Sequence, residues 1–167
     1  MELRNTCFLF LILAIMFTCI SCGEKPQEQE WDVTANEVPR AVLDVFEQMY
    51  PGAEVKGYAK EIEEGETLYE VSCVFEGRKI DAVFKPDGNV KVIEEVITEQ
   101  QLPEVVQQKI STEFPQYIVN IAEKMEKGEG TFYEVKISDS DENKHYEVVL
   151  SSAGEIIEKE EIKKIED

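Results

Sequence analysis

The side chains able to do chemistry in this chain are mostly carboxylates: 36 Asp and Glu stand against 17 Lys and Arg, for a formal net charge of −19. His145 is the single histidine. With no cysteine/histidine cluster, a zinc centre or a Ser-His-Asp arrangement in each half is excluded by inventory. The glycines are scattered singly through turns, which is not how a phosphate-cradling loop is built. Catalysis would have to run on paired carboxylates, and Glu70 and Glu134, each inside a Tyr-Glu-Val triplet, are the pair to consider for hydrolysis of envelope polymers. Asp139-Ser140-Asp141-Glu142-Asn143 opens like a calcium loop, but its sixth position is Lys144 where glycine is needed and its twelfth is Leu150 where glutamate is needed. It is expected to be a solvated hairpin turn. No metal and no cofactor are expected, and the acidic surface repels phosphate backbones, so nucleic acid is not an expected partner.

The segment ahead of these residues differs in kind. Arg4 precedes an apolar run from Cys7 to Ile20, short for a membrane span and right for the core of an export signal. The run stops at Ser21-Cys22-Gly23, and a polar stretch rich in Gln and Glu follows. That junction resembles a bacterial lipoprotein signal, with Cys19 where leucine is usual; the resemblance implies lipidation of Cys22 and removal of residues 1–21. Residues 22–32 then read as a tether. Cys73 is left without a partner, so no internal disulfide is expected. It shares a strand face with Tyr69, Val71 and Phe75 and is expected to be a packing residue.

The elements that must position the carboxylates are written twice. Val33-Thr34-x-x-Glu37-Val38-Pro39 returns as Ile97-Thr98-x-x-Gln101-Leu102-Pro103, Tyr50-Pro51 as Phe114-Pro115, and Tyr69-Glu70-Val71 as Tyr133-Glu134-Val135, all at an offset of 64. After two inserted residues near Ser138 to Lys144, Val83, Phe84, Gly88 and Val90 match Val149, Leu150, Gly154 and Ile156 at an offset of 66. Each copy opens with a capping pair, Thr34/Glu37 or Thr98/Gln101, followed by a helix from about Pro39 or Pro103 with apolar residues at helical spacing. The residue before Pro51 or Pro115 is pushed out of the helical region and ends it. The period then changes to two, predicting strands at 53–62, 67–76, 78–85 and 89–97, and again at 117–127, 131–138, 144–150 and 155–163. The expected fold class is α+β: a tandem duplication of an α-β-β-β-β unit, helix on antiparallel sheet, with repeats at 33–96 and 97–167. One helix per copy covers one sheet face and leaves the other open.

The pattern Val/Leu-Pro-x-x-Val-x-x-x-Phe/Ile-x-x-x-Tyr/Phe-Pro, then Tyr-Glu-Val, then a glycine turn before a last strand, resembles the PepSY-like family, which is also described as resembling the β-lactamase inhibitor protein. The resemblance covers about residues 33–164 in two copies. It implies an exported protein of Bacteroidota type, a two-layer arrangement and an open sheet free to grip a partner. Relatives with PepSY domains have been proposed as peptidase inhibitors.

With Tyr69, Val71, Cys73 and Phe75 turned to the helix, strand alternation places Lys56, Tyr58, Lys60, Glu70, Val83, Phe132, Glu134, His145, Glu147 and Val149 on the open face. Tyr58, Glu70, Val83, Phe132, Glu134, His145 and Val149 are the expected binding residues. The expected function is that of an envelope-tethered, non-enzymatic binding module, an inhibitor or sensor of an extracytoplasmic protein or peptide. It would be monomeric and held to the periplasmic or outer membrane by its lipid alone. The alternative is the carboxylate-dependent hydrolase.

Overall fold

A computed structural model of the chain describes residues 29–63, 65–139 and 144–163. Cys22, the expected signal segment 1–21 and most of the calcium-loop-like stretch, 140–143, lie outside the described residues. The described chain runs through β1 (Gln29–Asp32), α1 (Arg40–Met49), β2 (Glu54–Glu63), β3 (Glu66–Phe75), β4 (Arg78–Phe84), β5 (Val90–Ile97), α2 (Glu104–Glu113), β6 (Tyr117–Lys127), β7 (Gly130–Asp139), β8 (His145–Ser151) and β9 (Ile156–Ile162). The nine strands form one open antiparallel sheet in sequence order.

Both helices begin the way their sequences dictate. The Thr34 amide and hydroxyl donate to Oε2 of Glu37 at 2.9 and 2.8 Å. Those of Thr98 donate to Oε1 of Gln101 at 2.8 and 2.9 Å. Each pair closes a turn ahead of the helix, and Pro39 and Pro103 take the N-cap with φ near −56° and −55°, where a missing N–H costs nothing. At the far ends Tyr50 and Phe114 donate their amides to Phe46 and Ile110 at 2.8 and 2.9 Å before the following proline stops the helix.

Each helix lays its apolar side on the same face of the sheet. Val38, Val42 and Phe46 pack with Val71, Cys73, Ile80, Ala82 and Phe84. Leu102, Val106, Ile110 and Phe114 pack with Ala122, Val135, Ile137, Val148 and Leu150. Cys73 is buried there as a small apolar residue, with burial pushing its thiol pKa up.

Two expectations about the first strands are corrected. Residues 29–32, assigned to the tether, form β1, with Trp31 opposite Lys60 and the Lys60 ammonium 5.7 Å from the Trp31 ring centre. All four are exposed, so β1 carries no alternation to detect; an edge strand requires only backbone pairing on one side. The second correction concerns Tyr58 and Lys60, which lie on the helix side: Tyr58 pairs with Val71 and packs on the core beneath α1. Lys56 is the extra residue of a β-bulge between Val55 and Gly57, and one extra residue reverses every later side chain in the strand. Ala59 and Glu61 therefore take the open face.

Candidate binding face

The open face is hollowed, and its strands carry bulges. Register shifts occur at Val55/Gly57 in β2, Val119/Ile121 in β6, and at Val83/Phe84 and Val149/Leu150 against β5 and β9. Bulges raise the local twist of the strands that carry them. The face has two hollows, of about 950 and 350 Å³, both bordered by Glu70 and Glu94.

One row across the sheet passes from Ser72 to Asp81, Glu94, Met125 and Phe132; a neighbouring row runs through Glu123, Glu134 and Val149. Beside the carboxylates, Leu68, Val83 and Val92 are buried against each other and Met125, and among the described residues neither α1 nor α2 packs on this cluster. Of the expected residues, Glu70, Val83, Phe132, Glu134, His145 and Val149 lie on this face. Glu70 and Val83 sit together at the smaller hollow, whereas Glu134 borders neither hollow. His145 stands opposite Ser138 at the start of β8, with its Nδ1 and the Ser138 hydroxyl both buried and without a hydrogen-bond partner among the described residues.

Sequence reasoning missed Glu61, hidden by the bulge, and Glu94, whose strand offers no motif. Together with Glu70 and Glu134 they make the face electrostatically unusual. Burial is the main force on Glu61, Glu94 and Glu134, and neighbouring carboxylates add to it. Glu61 is pushed up to about 8, with Glu70 beside it, and Glu134 to about 8, with Glu147 beside it. Glu94 rises to about 7, with Glu123 and Glu70 as the next contributors. Glu70 and Glu147 are also raised by burial, Glu70 less freely because the Ser72 hydroxyl donates to it at 2.8 Å. Lys136 answers part of this charge: burial works against its ammonium, but Glu123 and Glu134 outweigh that and hold its pKa above the usual lysine value.

Glu30, Glu61 and Glu70 each bring a carboxylate oxygen within 4.8 Å of the other two, the spacing a metal ion would need. Glu61 and Glu70 also meet each other by a side-chain hydrogen bond, which adds to the rise in the Glu61 pKa.

A family model described as "Putative beta-lactamase-inhibitor-like, PepSY-like" matches residues 25–76 and 67–158. The chain belongs to the PepSY-like family. The two matched segments overlap and together take in both helices of the PepSY-like fold seen here. Solved structures share it. A DUF2874 family protein from Bacteroides uniformis superposes with a TM-score of 0.65 at 18% identity, over 75% of this chain and 90% of that one. A BLIP-like protein from Bacteroides fragilis gives 0.60 at 20% identity, over 77% and 90%. A protein from Bacteroides eggerthii described as periplasmic gives 0.64 at 17% identity, over 75% and 90%. No curated protein sequence matches the chain. At these identities the likeness shows the fold alone.

Proposed function

We propose that this PepSY-like chain is a non-enzymatic binding module of the cell envelope that grips a protein or peptide on its open sheet face. The observation that carries this is the hollow itself: a face without a covering layer that nonetheless buries carboxylates and an apolar floor. Holding like charges half out of water costs stability, and such an arrangement is kept where a partner uses it. The inhibitor-like description of the family and the BLIP-like neighbour support a binding role over a catalytic one. The hydrolase alternative loses its geometry, because Glu70 and Glu134 share no cleft.

The chain is a duplicated helix-on-sheet unit, supported by equivalent caps at Pro39 and Pro103 and equivalent bulge residues at Lys56 and Asn120. It is exported, as the periplasmic description of the Bacteroides eggerthii neighbour supports, and anchored through Cys22 as a monomer. Among the described residues no helix is long and apolar enough to cross a membrane, in keeping with attachment by lipid.

Photo-crosslinking in cells tests the face. A benzoylphenylalanine at Phe132 or Val149 is expected to capture a partner that the same group at Val105 on α2 does not. Capture from Val105 alone would overturn the reading.

A further inference from the structure

The two hollows differ in what they offer. The larger is edged by Glu70, Asp81, Glu94 and Glu123. The smaller has Leu68, Val83, Val92 and Met125 along its wall, with Glu61, Glu70 and Glu94 around it. Of the lysines that line the hollows, Lys56 holds Glu54 at 2.7 Å, Lys91 lies 3.1 Å from Glu66 and 3.6 Å from Glu63, and Lys136 lies 3.5 Å from Glu123 and 3.2 Å from Glu134, with Lys79 and Lys127 completing the set. No ion pair to Asp81 or Glu94 forms among the described residues. Carboxylates outnumber lysines around both hollows, so an excess of negative charge borders an apolar slot, and the side chains that satisfy both at once are those with a long aliphatic stem and a cationic head.

We propose that the groove takes a positively charged segment of a partner protein, with lysine or arginine heads meeting Glu70, Asp81 and Glu94 while a stem lies along Leu68, Val83, Val92 and Met125. This rests on the open face being the binding surface and adds the chemistry of what it binds. The sheet supplies pairing geometry and shape, and the charge supplies choice: a neutral or acidic segment would leave the carboxylates desolvated and unanswered. A bare metal ion would answer the charge and leave the apolar wall unused.

The test uses the full chain in mild detergent and three labelled hexapeptides of one length, bearing arginine and lysine, glutamine, or glutamate at the same positions. Fluorescence anisotropy reads affinity at pH 8.5, hydrogen exchange maps the bound site, and calcium chloride alone serves as the metal arm. The basic peptide is expected to bind and to protect β3 to β6. Glu70→Gln and Glu94→Gln are expected to weaken it by about tenfold or more, while Glu104→Gln on the exposed side of α2 changes affinity less than about twofold. Equal weakening by all three variants would mean attraction to net charge only and would overturn the proposal. So would basic-peptide binding that fails to protect these strands, or protection of the groove by calcium but not by the peptide. If the neutral or acidic peptide protects β3 to β6 as well as the basic one, the cationic preference falls while the face survives as a binding surface. If the crosslinks at Phe132 and Val149 capture nothing and no peptide protects the groove, both fall together.

Discussion

The ammonium of Lys136 on β7 lies 3.5 Å from Oε2 of Glu123 on β6, a diagonal contact across two strands of the open face. Glu123 is 8% exposed and Lys136 also reaches Glu134 at 3.2 Å, so one cation neutralises two crowded carboxylates. Replacing Lys136 with methionine keeps the stem and removes the charge. Breaking a well-buried pair costs about 3 to 5 kcal/mol, and partial solvation here reduces that to about 2 kcal/mol. Urea unfolding is expected to show that loss at pH 8 and a smaller one at pH 5, where Glu134 is protonated and needs no counter-charge.

Stability of the native chain is expected to fall as pH rises. Glu94 faces Asp81, Glu70, Glu123 and Lys136, and its folded pKa of about 7, like those of about 8 for Glu61 and Glu134, lies above the ordinary glutamate value. The folded chain therefore holds protons that the unfolded chain releases, between about pH 4.5 and pH 8. The stability these groups contribute is complete below that window and lost on passing up through it. Glu94→Gln removes one such charge, so its melting temperature is expected to exceed the native value by about 3 °C at pH 8.5 and to match it at pH 5. A constant difference at both values would refute the assignment.

How much of this was written in local chemistry varies along the chain. Thr34, Pro39 and Tyr50-Pro51, with their counterparts Thr98, Pro103 and Phe114-Pro115, signal the helix limits because capping and proline sterics act over a few residues. The strands from β2 to β9 fall within a residue or so of their alternating stretches for the same reason. The face of a strand is less secure, since parity fails silently at a bulge, and in β2 the local hint of one is Gly57 in the middle of the strand. Glu61 and Glu94 were invisible for a different reason. One acidic residue among 36 carries no label, and only the packing of neighbouring strands makes these two half-buried.

Gly88 and Gly154 are expected to be irreplaceable in a way Gly52 is not. All three have positive φ, but a Cβ on Gly88 would stand 2.9 Å from the Ala41 carbonyl oxygen, and one on Gly154 2.9 Å from that of Val105, whereas one on Gly52 meets nothing. The turns ahead of β5 and β9 are thus pressed against the first turns of α1 and α2. Alanine at Gly52 carries only the left-handed backbone cost, about 1 kcal/mol, while alanine at Gly88 or Gly154 adds displacement of a helix, for a total of about 3 kcal/mol. Chemical denaturation of the three variants checks the order.

Tyr58→Ala separates the roles of the two faces. Tyr58 is half-buried, turned toward α1 by the bulge at Lys56, and belongs to the cluster around Val42 and Phe46. Its truncation is expected to cost about 2 kcal/mol, below the range for a fully buried aromatic because part of the ring is already wet. It should leave partner affinity on the opposite face unchanged in conditions where the variant stays folded. Deleting Lys56 probes the bulge itself: with the extra residue gone, Val55 stays opposite Cys73 and Gly57 opposite Ser72, so Tyr58 keeps its place on the helix side and only the local kink is lost. That deletion is expected to keep cooperative folding while straightening the strand at the edge of the groove, and Lys56→Ala, which keeps the extra residue, is expected to cost less than about 1 kcal/mol because it loses only the exposed pair with Glu54. Circular dichroism melts of the deletion and the substitution side by side decide whether the bulge residue matters by its presence or by its side chain.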